Sequence, residues 1–106
     1  MKSFKVKVTP KAMDDIRKYI SYIRDVKHNL QAARNVLKDF KNTQESLRLV
    51  AESLALPDSE ILKSRNLKRM NFLHHNYFLL YYIGTDNVVY ITDVFHGSEN
   101  FESKLK

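Results

Sequence analysis

The first part of the chain predicts a strand followed by a helix. Apolar and polar residues alternate from Phe4 to Thr9, and a period of two is typical of a strand with one buried and one solvated face. Thr9-Pro10 pairs an N-cap residue with a proline at the first helical position, which favours a helix start there. From Ala12 the apolar residues recur at spacings of three and four, so the helix extends to about Val26.

A second, longer helix is predicted after a break at residues 27–29, where Asn29 is a suitable N-cap. Its apolar residues keep helical spacing from Leu30 to Leu54, and Pro57-Asp58-Ser59 ends it. The short connection predicts that the two helices are antiparallel neighbours, a helical hairpin. Residues 60–66 are predicted to form a loop.

Three more strands are predicted in the C-terminal half. Alternation begins at Leu67, and dense β-prone runs follow at residues 77–83 and 88–95. Their short connectors favour an antiparallel meander, and the tail from Gly97 shows no strong pattern. We therefore expect a single α+β domain over residues 1–106. It has a small antiparallel sheet in the order strand-helix-helix-strand-strand-strand, with the helical hairpin packed on one face.

Composition narrows the class of protein. The 106 residues are 43% hydrophobic and 28% charged, as in soluble globular domains. Cysteine is absent, which excludes disulfides, thiolate nucleophiles and cysteine-ligated metal centres. The N-terminus lacks the apolar core of a signal peptide, and no apolar run approaches the roughly 20 residues that span a bilayer. We expect a soluble, cytoplasmic protein.

The net charge of +6, from 18 Lys and Arg against 12 Asp and Glu, favours a polyanionic or acidic partner. Four cations and no acid lie within residues 63–69. Lys63, Arg65 and Lys68 of this cluster are predicted to contact an RNA backbone. A solvated face is the alternative interpretation of the same cluster.

The order of these pieces resembles the RelE/ParE superfamily of bacterial type II toxin–antitoxin toxins. The resemblance covers nearly the whole chain and rests on three motifs: the opening strand with Thr9-Pro10-Lys11-Ala12 and the helix pair, Leu67-Lys68-Arg69-Met70 before the aromatic run Tyr77–Tyr82, and Val88–Val94 closing on Phe95-His96-Gly97. It implies a growth-inhibiting protein that is held inactive by a cognate antitoxin protein. That acidic partner would also account for the positive charge.

The resemblance implies one of two activities on a shared fold. RelE-like members bind the ribosomal A site and cleave mRNA without metal, whereas ParE-like members inhibit DNA gyrase and are not known to cut RNA. We place ribosome-dependent mRNA cleavage slightly ahead, with gyrase inhibition as the alternative. The long hairpin from Pro10 to about Ala55 looks more like the ParE branch. A basic nucleic-acid-binding domain without toxicity is a third possibility, and no metal or cofactor is predicted.

Two residues match superfamily positions that suit metal-free RNA cleavage. Arg69 is the candidate stabiliser of the phosphate, since a guanidinium donates two parallel hydrogen bonds. His96, at the end of the last strand, is the candidate general acid or base. Alternatively, Arg69 pairs with an acidic side chain of the antitoxin, and His96 only caps a strand end. A register error of one residue would turn either side chain to the other face of the sheet.

Other residues give weaker indications. His74 and His75 are adjacent, but a zinc site is disfavoured because no acidic residue stands near them in the sequence. Glu60 is set aside as a catalytic base because its flanking residues do not match the superfamily pattern. Four tyrosines of the strands could stack on bases, although aromatic residues on central strands are more often core: Tyr77, Tyr81, Tyr82 and Tyr90.

Overall fold

The structure, a computed structural model, describes residues 3–105. The chain forms a strand, a helical layer, three more strands and a short final helix. In chain order the elements are β1 (Lys5–Val8), α1 (Pro10–Ser21), a π-helical segment (Tyr22–Val26), α2 (Leu30–Val50), α3 (Glu60–Ser64), β2 (Lys68–Asn71), β3 (Tyr77–Ile83), β4 (Val88–His96) and α4 (Phe101–Lys104). Within residues 3–105, no helix has both the length and the apolar character needed to cross a membrane.

The four strands form one mixed sheet in the order β1-β4-β3-β2. The predicted antiparallel meander of β2, β3 and β4 is confirmed. The expectation of a wholly antiparallel sheet is wrong at β1, which pairs parallel with β4, Lys5 opposite Val88 and Val8 opposite Ile91. The α+β class itself is confirmed. Local pattern could not reveal the parallel pair, because its direction depends on how the helical hairpin returns the chain.

The helical hairpin begins and turns where its capping residues predict. The Thr9 side chain accepts a hydrogen bond from the Ala12 amide, and Asn29 accepts one from the Ala32 amide. His28, between the π-helical segment and α2, adopts a left-handed backbone with φ of 52°. This residue ends the first helix and redirects the chain into the second.

The second helix ends at Val50, short of the predicted Leu54, and two other stretches of the chain also differ from the prediction. Residues 60–66 contain the short helix α3, whose N-cap Ser59 accepts a hydrogen bond from the Leu62 amide. A run of this length is too short for an apolar period to show in the sequence. The tail forms α4, held to the sheet by Phe101, whose ring meets that of Phe78 edge-on at 5.3 Å.

The sheet has a core on each face. The larger core lies between the sheet and the hairpin, and its buried members include Ile16, Phe40 and Leu79. The smaller core covers part of the opposite face, where Leu62 of α3 and Leu105 pack against Phe78 and Leu80. The face of the sheet opposite the hairpin is therefore partly covered by α3 and the C-terminal segment.

A charged cluster fastens α1 to the central strand β4. Asp15 and Asp93 are 9% and 8% exposed, and Lys11 Nζ lies 2.7 Å from one carboxylate and 3.1 Å from the other. Burial alone would lower the pKa of Lys11, but its hydrogen bonds to the two carboxylates raise it. The Val94 amide also donates to Asp15. The cluster ties the helix to the strand and leaves its charges paired.

The C-terminal end of α2 is completed by side chains from the sheet. The Tyr81 hydroxyl donates to the Ala51 carbonyl at 2.7 Å, and Lys68 Nζ donates to the carbonyls of Glu52 and Leu54 at 3.2 and 3.1 Å. Carbonyls at a helix C-terminus lack intrahelical donors, so these contacts satisfy groups that would otherwise be unpaired. Burial raises the pKa of Tyr81 to about 12.

Asp39 on α2 holds the turn between β2 and β3. Its carboxylate is 2% exposed and accepts hydrogen bonds from the His74 amide, the His75 amide and His75 Nδ1, at 3.1, 2.8 and 2.7 Å. Burial would raise the pKa of Asp39, but these donors outweigh it and lower the pKa. The long-range contact keeps the turn against α2.

Replacing Tyr81 by phenylalanine should lower the free energy of unfolding by about 1–2 kcal/mol, because the Ala51 carbonyl loses its buried donor. Urea denaturation of the two proteins measures the difference. Tyr82→Phe is the matched control, since that side chain is 36% exposed, and it should change stability by less than about 0.5 kcal/mol. Equal losses in both variants would contradict a special role for the Tyr81 hydroxyl.

Asp39→Asn should cost about 2–3 kcal/mol at pH 7, because hydrogen bonds to a charged carboxylate are lost. The folded-state pKa of Asp39 lies below its unfolded value. Its contribution is therefore complete above the unfolded pKa of about 4 and is lost as the pH falls through the folded value. Urea denaturation should show the gap between wild type and variant narrowing between pH 5 and pH 3.

Glu45→Gln is the control for that series, because the Glu45 side chain is 71% exposed. It should leave both stability and its pH dependence nearly unchanged. A gap for Asp39→Asn that stays constant down to pH 3 would show that the negative charge is not what stabilises the turn.

Candidate functional site

Arg69 is an exposed cation on the edge strand β2. Its guanidinium carbon lies 3.7 Å from the centre of the Phe78 ring, a cation–π contact. Its Nε donates to Asn71 Oδ1 at 3.0 Å, and no carboxylate among residues 3–105 forms an ion pair with it. Burial lowers the pKa of Arg69, but an arginine stays charged in proteins. The side chain is thus positioned and charged, and it has no ion-pair partner among the described residues.

A groove of about 750 Å³ opens beside Arg69. One wall is the segment that follows α2, residues 54–59, and the other is β2 with the start of α4. Because β2 is an edge of the sheet, one side of its backbone faces this groove without a neighbouring strand. The groove therefore combines an open strand edge, apolar side chains such as Leu54, and one unpaired guanidinium.

His96 is the last residue of β4 and lies opposite Tyr77, whose ring it meets edge-on at 5.0 Å. The Ser98 amide donates to His96 Nδ1 at 3.2 Å, and the Ser98 hydroxyl lies 2.7 Å from the same atom. With Nδ1 as the acceptor, this hydrogen-bond network assigns the proton of the neutral ring to Nε2. The Nε2–H group of His96 is then a hydrogen-bond donor, while its Nδ1 lone pair accepts hydrogen bonds from Ser98.

Glu99 and Tyr19 surround the backbone of His96 and were not singled out in the sequence. Glu99 accepts hydrogen bonds from Tyr19, Lys104 and the His96 amide. Burial would raise the pKa of Glu99, but these donors lower it to about 2. Burial and the bond to Glu99 raise the pKa of Tyr19. Tyr19 belongs to the apolar stripe of α1, so only the fold reveals its polar contact.

The strand register places Arg69 and His96 on opposite faces of the sheet. Arg69 is opposite Leu80 and stacks on Phe78, and both of these residues belong to the smaller core. His96 is opposite Tyr77, which packs against the larger core beneath the hairpin. Since side chains alternate between faces along a strand, the structure does not bring the two predicted catalytic residues together.

The predicted RNA-binding cations are partly engaged within the chain. Lys68 donates to carbonyls after α2, and Lys63 lies 3.6 Å from Glu60. Arg65 is exposed just after α3. The three side chains thus have separate surroundings, and their contact with RNA stays a prediction.

The structure gives the surroundings of the two adjacent histidines and of the four strand tyrosines. Asp39, far from His75 in the sequence, supplies the acidic neighbour that the sequence lacked. Among residues 3–105, no group of three or more His, Cys, Asp or Glu is arranged to hold a metal ion. Tyr77 and Tyr81 pack in the larger core. Tyr82 and Tyr90 stack on each other with ring centres 5.2 Å apart.

The sequence of this chain matches a known protein family. The family model described as the ParE toxin of the type II toxin-antitoxin system parDE matches residues 6–101. No curated protein sequence matches this chain.

Among solved structures, a chain of the chromosomal ParDE toxin–antitoxin system from P. aeruginosa is similar with a TM-score of 0.73. The match has 16% sequence identity and covers 89% of this chain and 96% of that chain. At this identity the likeness shows the shared fold alone. The family match extends over most of the chain, and this protein therefore belongs to the ParE toxin family of type II toxin–antitoxin systems.

Proposed function

We propose that this toxin arrests growth by inhibiting DNA gyrase and that a cognate antitoxin neutralises it. Membership of the ParE family supports gyrase as the target over the ribosome, because gyrase inhibition is what likeness to the ParE branch implies. The observation that carries the proposal is the separation of Arg69 and His96 on opposite faces of the sheet.

Metal-free RNA cleavage makes demands that this arrangement does not meet. It needs a base for the 2′-hydroxyl, an acid for the leaving oxygen and a cation, all at one phosphate. Arg69 stacks on Phe78 on one face of the sheet, whereas His96 lies towards the opposite face. The Nδ1 atom of His96 already accepts a hydrogen bond from the Ser98 amide. A toxin that works by binding a protein target needs no such convergence.

The groove beside Arg69 supports a role in antitoxin binding. An unpaired guanidinium that is already stacked and partly desolvated gains strongly from a carboxylate partner. The open edge of β2 and the apolar residues of the segment after α2 suit an extended peptide. We assign Arg69 to an acidic residue of the antitoxin, in place of the phosphate of an RNA substrate.

His96→Ala should leave gyrase inhibition within about twofold of the wild type, because the His96 ring is engaged by Ser98 and by the Tyr77 ring. The measurement is ATP-dependent supercoiling of relaxed plasmid by purified gyrase at increasing toxin concentration. In parallel, a cell-free translation reaction should keep its mRNA intact with either protein. Cleaved mRNA with the wild type, abolished by His96→Ala, would replace gyrase by the ribosome.

Arg69→Gln should weaken binding of the antitoxin by about 10- to 100-fold, because a desolvated charge pair is lost. Titration calorimetry with the purified cognate antitoxin measures the affinity. Arg65→Gln is the matched control: it removes the same charge from an exposed position outside the groove, and a loss below about threefold is expected. Equal losses would mean that only overall charge attracts the antitoxin.

A further inference from the structure

The outer face of α2 carries a line of exposed positive charge. Arg34, Lys38 and Lys41 are spaced by four and three residues, so they lie on one side of the helix, and all three are exposed. The core-facing residues of α2, such as Val36 and Phe40, occupy the other side. From Arg34 to Lys41 the line covers seven residue steps, about 10 Å along the helix axis.

These charges have no counter-charge in the described chain. Among residues 3–105, no carboxylate forms an ion pair with Arg34, Lys38 or Lys41. The acidic residues on α2 are otherwise engaged: Asp39 is buried and bonded to the β2–β3 turn, and Glu45 pairs with Arg48 at 2.6 Å. Near β2, by comparison, Lys68 is engaged by two carbonyls and Lys63 by Glu60.

A polar cleft of about 320 Å³ adjoins the basic line. Lys38, Asn35 and Asn42 of α2 line it together with His74 and His75 of the β2–β3 turn, above the buried Asp39. The side-chain oxygen of Asn35, Oδ1, accepts a hydrogen bond from the Gln31 side chain. The NH₂ group of Asn35 is therefore available as a donor. The rim of the cleft is therefore rich in hydrogen-bond donors.

The buried carboxylate of Asp39 lies at the base of this cleft. Asp39 is 2% exposed, and its Oδ1 is buried without a hydrogen-bond partner among residues 3–105. The other oxygen accepts the His75 Nδ1–H at 2.7 Å, which fixes the tautomer and holds the imidazole at the cleft. The histidine pair is thus positioned beside the basic line.

We infer that the outer face of α2, with the adjoining His74–His75 turn, binds the phosphate backbone of duplex nucleic acid. A duplex presents one charge per about 1.7 Å of its axis, so a line of about 10 Å meets several phosphates. The inference goes beyond gyrase inhibition, since it gives this surface a ligand of its own.

The chemistry of the face favours a duplex over other anionic partners. Protein interfaces depend on buried aromatic and apolar anchors, whereas the residues of the line and the cleft are polar or charged. Single strands are held largely by stacking of bases on aromatic rings, and no tyrosine or phenylalanine lines the cleft. A rigid line of cations without stacking rings suits a regular backbone of phosphates.

The test is fluorescence anisotropy of a labelled 20-base-pair DNA with the purified toxin over a range of salt concentrations. The triple variant Arg34→Gln, Lys38→Gln, Lys41→Gln should bind at least about tenfold more weakly at 100 mM salt. Each lost contact should reduce the slope of log affinity against log salt by about 0.9, so the slope should fall by about 2 to 3. Glutamine keeps helix propensity, and circular dichroism checks that the variant is folded.

A second triple variant removes the same charge elsewhere: Lys5→Gln, Lys7→Gln and Lys18→Gln, all at exposed positions of β1 and α1. Its affinity should fall by less than about threefold. Equal weakening by the two variants, or no measurable binding by the wild type, would overturn the inference.

Two further measurements complete the test. His75→Gln should weaken binding by about two- to fivefold, and an unchanged affinity would remove the histidine turn from the surface. A single-stranded RNA of equal charge should bind more weakly than the duplex, and tighter RNA binding would overturn the duplex assignment. Because gyrase is absent from the assay, failure of the gyrase proposal and failure of this inference are separate results.

Discussion

The parallel pairing of β1 with β4 is the constraint on which the rest of the structure depends. This pairing brings the N-terminal strand against the C-terminal strand β4. At its end, the Thr9 hydroxyl donates a hydrogen bond to the carbonyl of Ile91, 82 positions away. Thr9 is also the N-cap of α1, so the same residue ends the strand pairing and begins the helical layer. Lys11, with Asp15 and Asp93, then fastens the first turns of α1 to the centre of the sheet.

Once α1 is fastened, the two faces of the sheet acquire different environments. The hairpin covers one face completely enough to bury Leu79, Tyr81 and Ile91. The other face has only α3 and the C-terminal segment to cover it, which leaves the groove beside β2 open. A catalytic pair would need both residues on one of these faces, and the alternation of β-strand side chains separates Arg69 from His96. The fold is compatible with several toxin activities, so the activity has to be inferred from side chains and not from the fold.

The structure also shows which of the positive charges counted in the composition are engaged within the chain. The sequence predicted that the cations at residues 63–69 contact RNA, yet Lys68 donates to carbonyls that follow α2 and Arg69 stacks on Phe78. The outer face of α2 also carries unpaired positive charge, because helical spacing aligns three cations that are separated in the sequence. Net charge is a property of the whole chain, whereas binding depends on which charges remain unpaired and face the same way.

The sequence by itself determined the strands, the two capped starts of the hairpin helices and the resemblance to the toxin superfamily, because these depend on local period and on capping chemistry. It missed α3, which is too short to show a period, and the parallel direction of β1. For the candidate site it identified Arg69 and His96 by position, but their faces follow from strand register. The roles of Lys68, Asp39 and Glu99 arise from partners 14, 36 and 80 positions away, and Glu99 also has the nearby partners His96 and Lys104. Contacts of that kind exist only when distant segments pack together, and so the tertiary structure alone decided them.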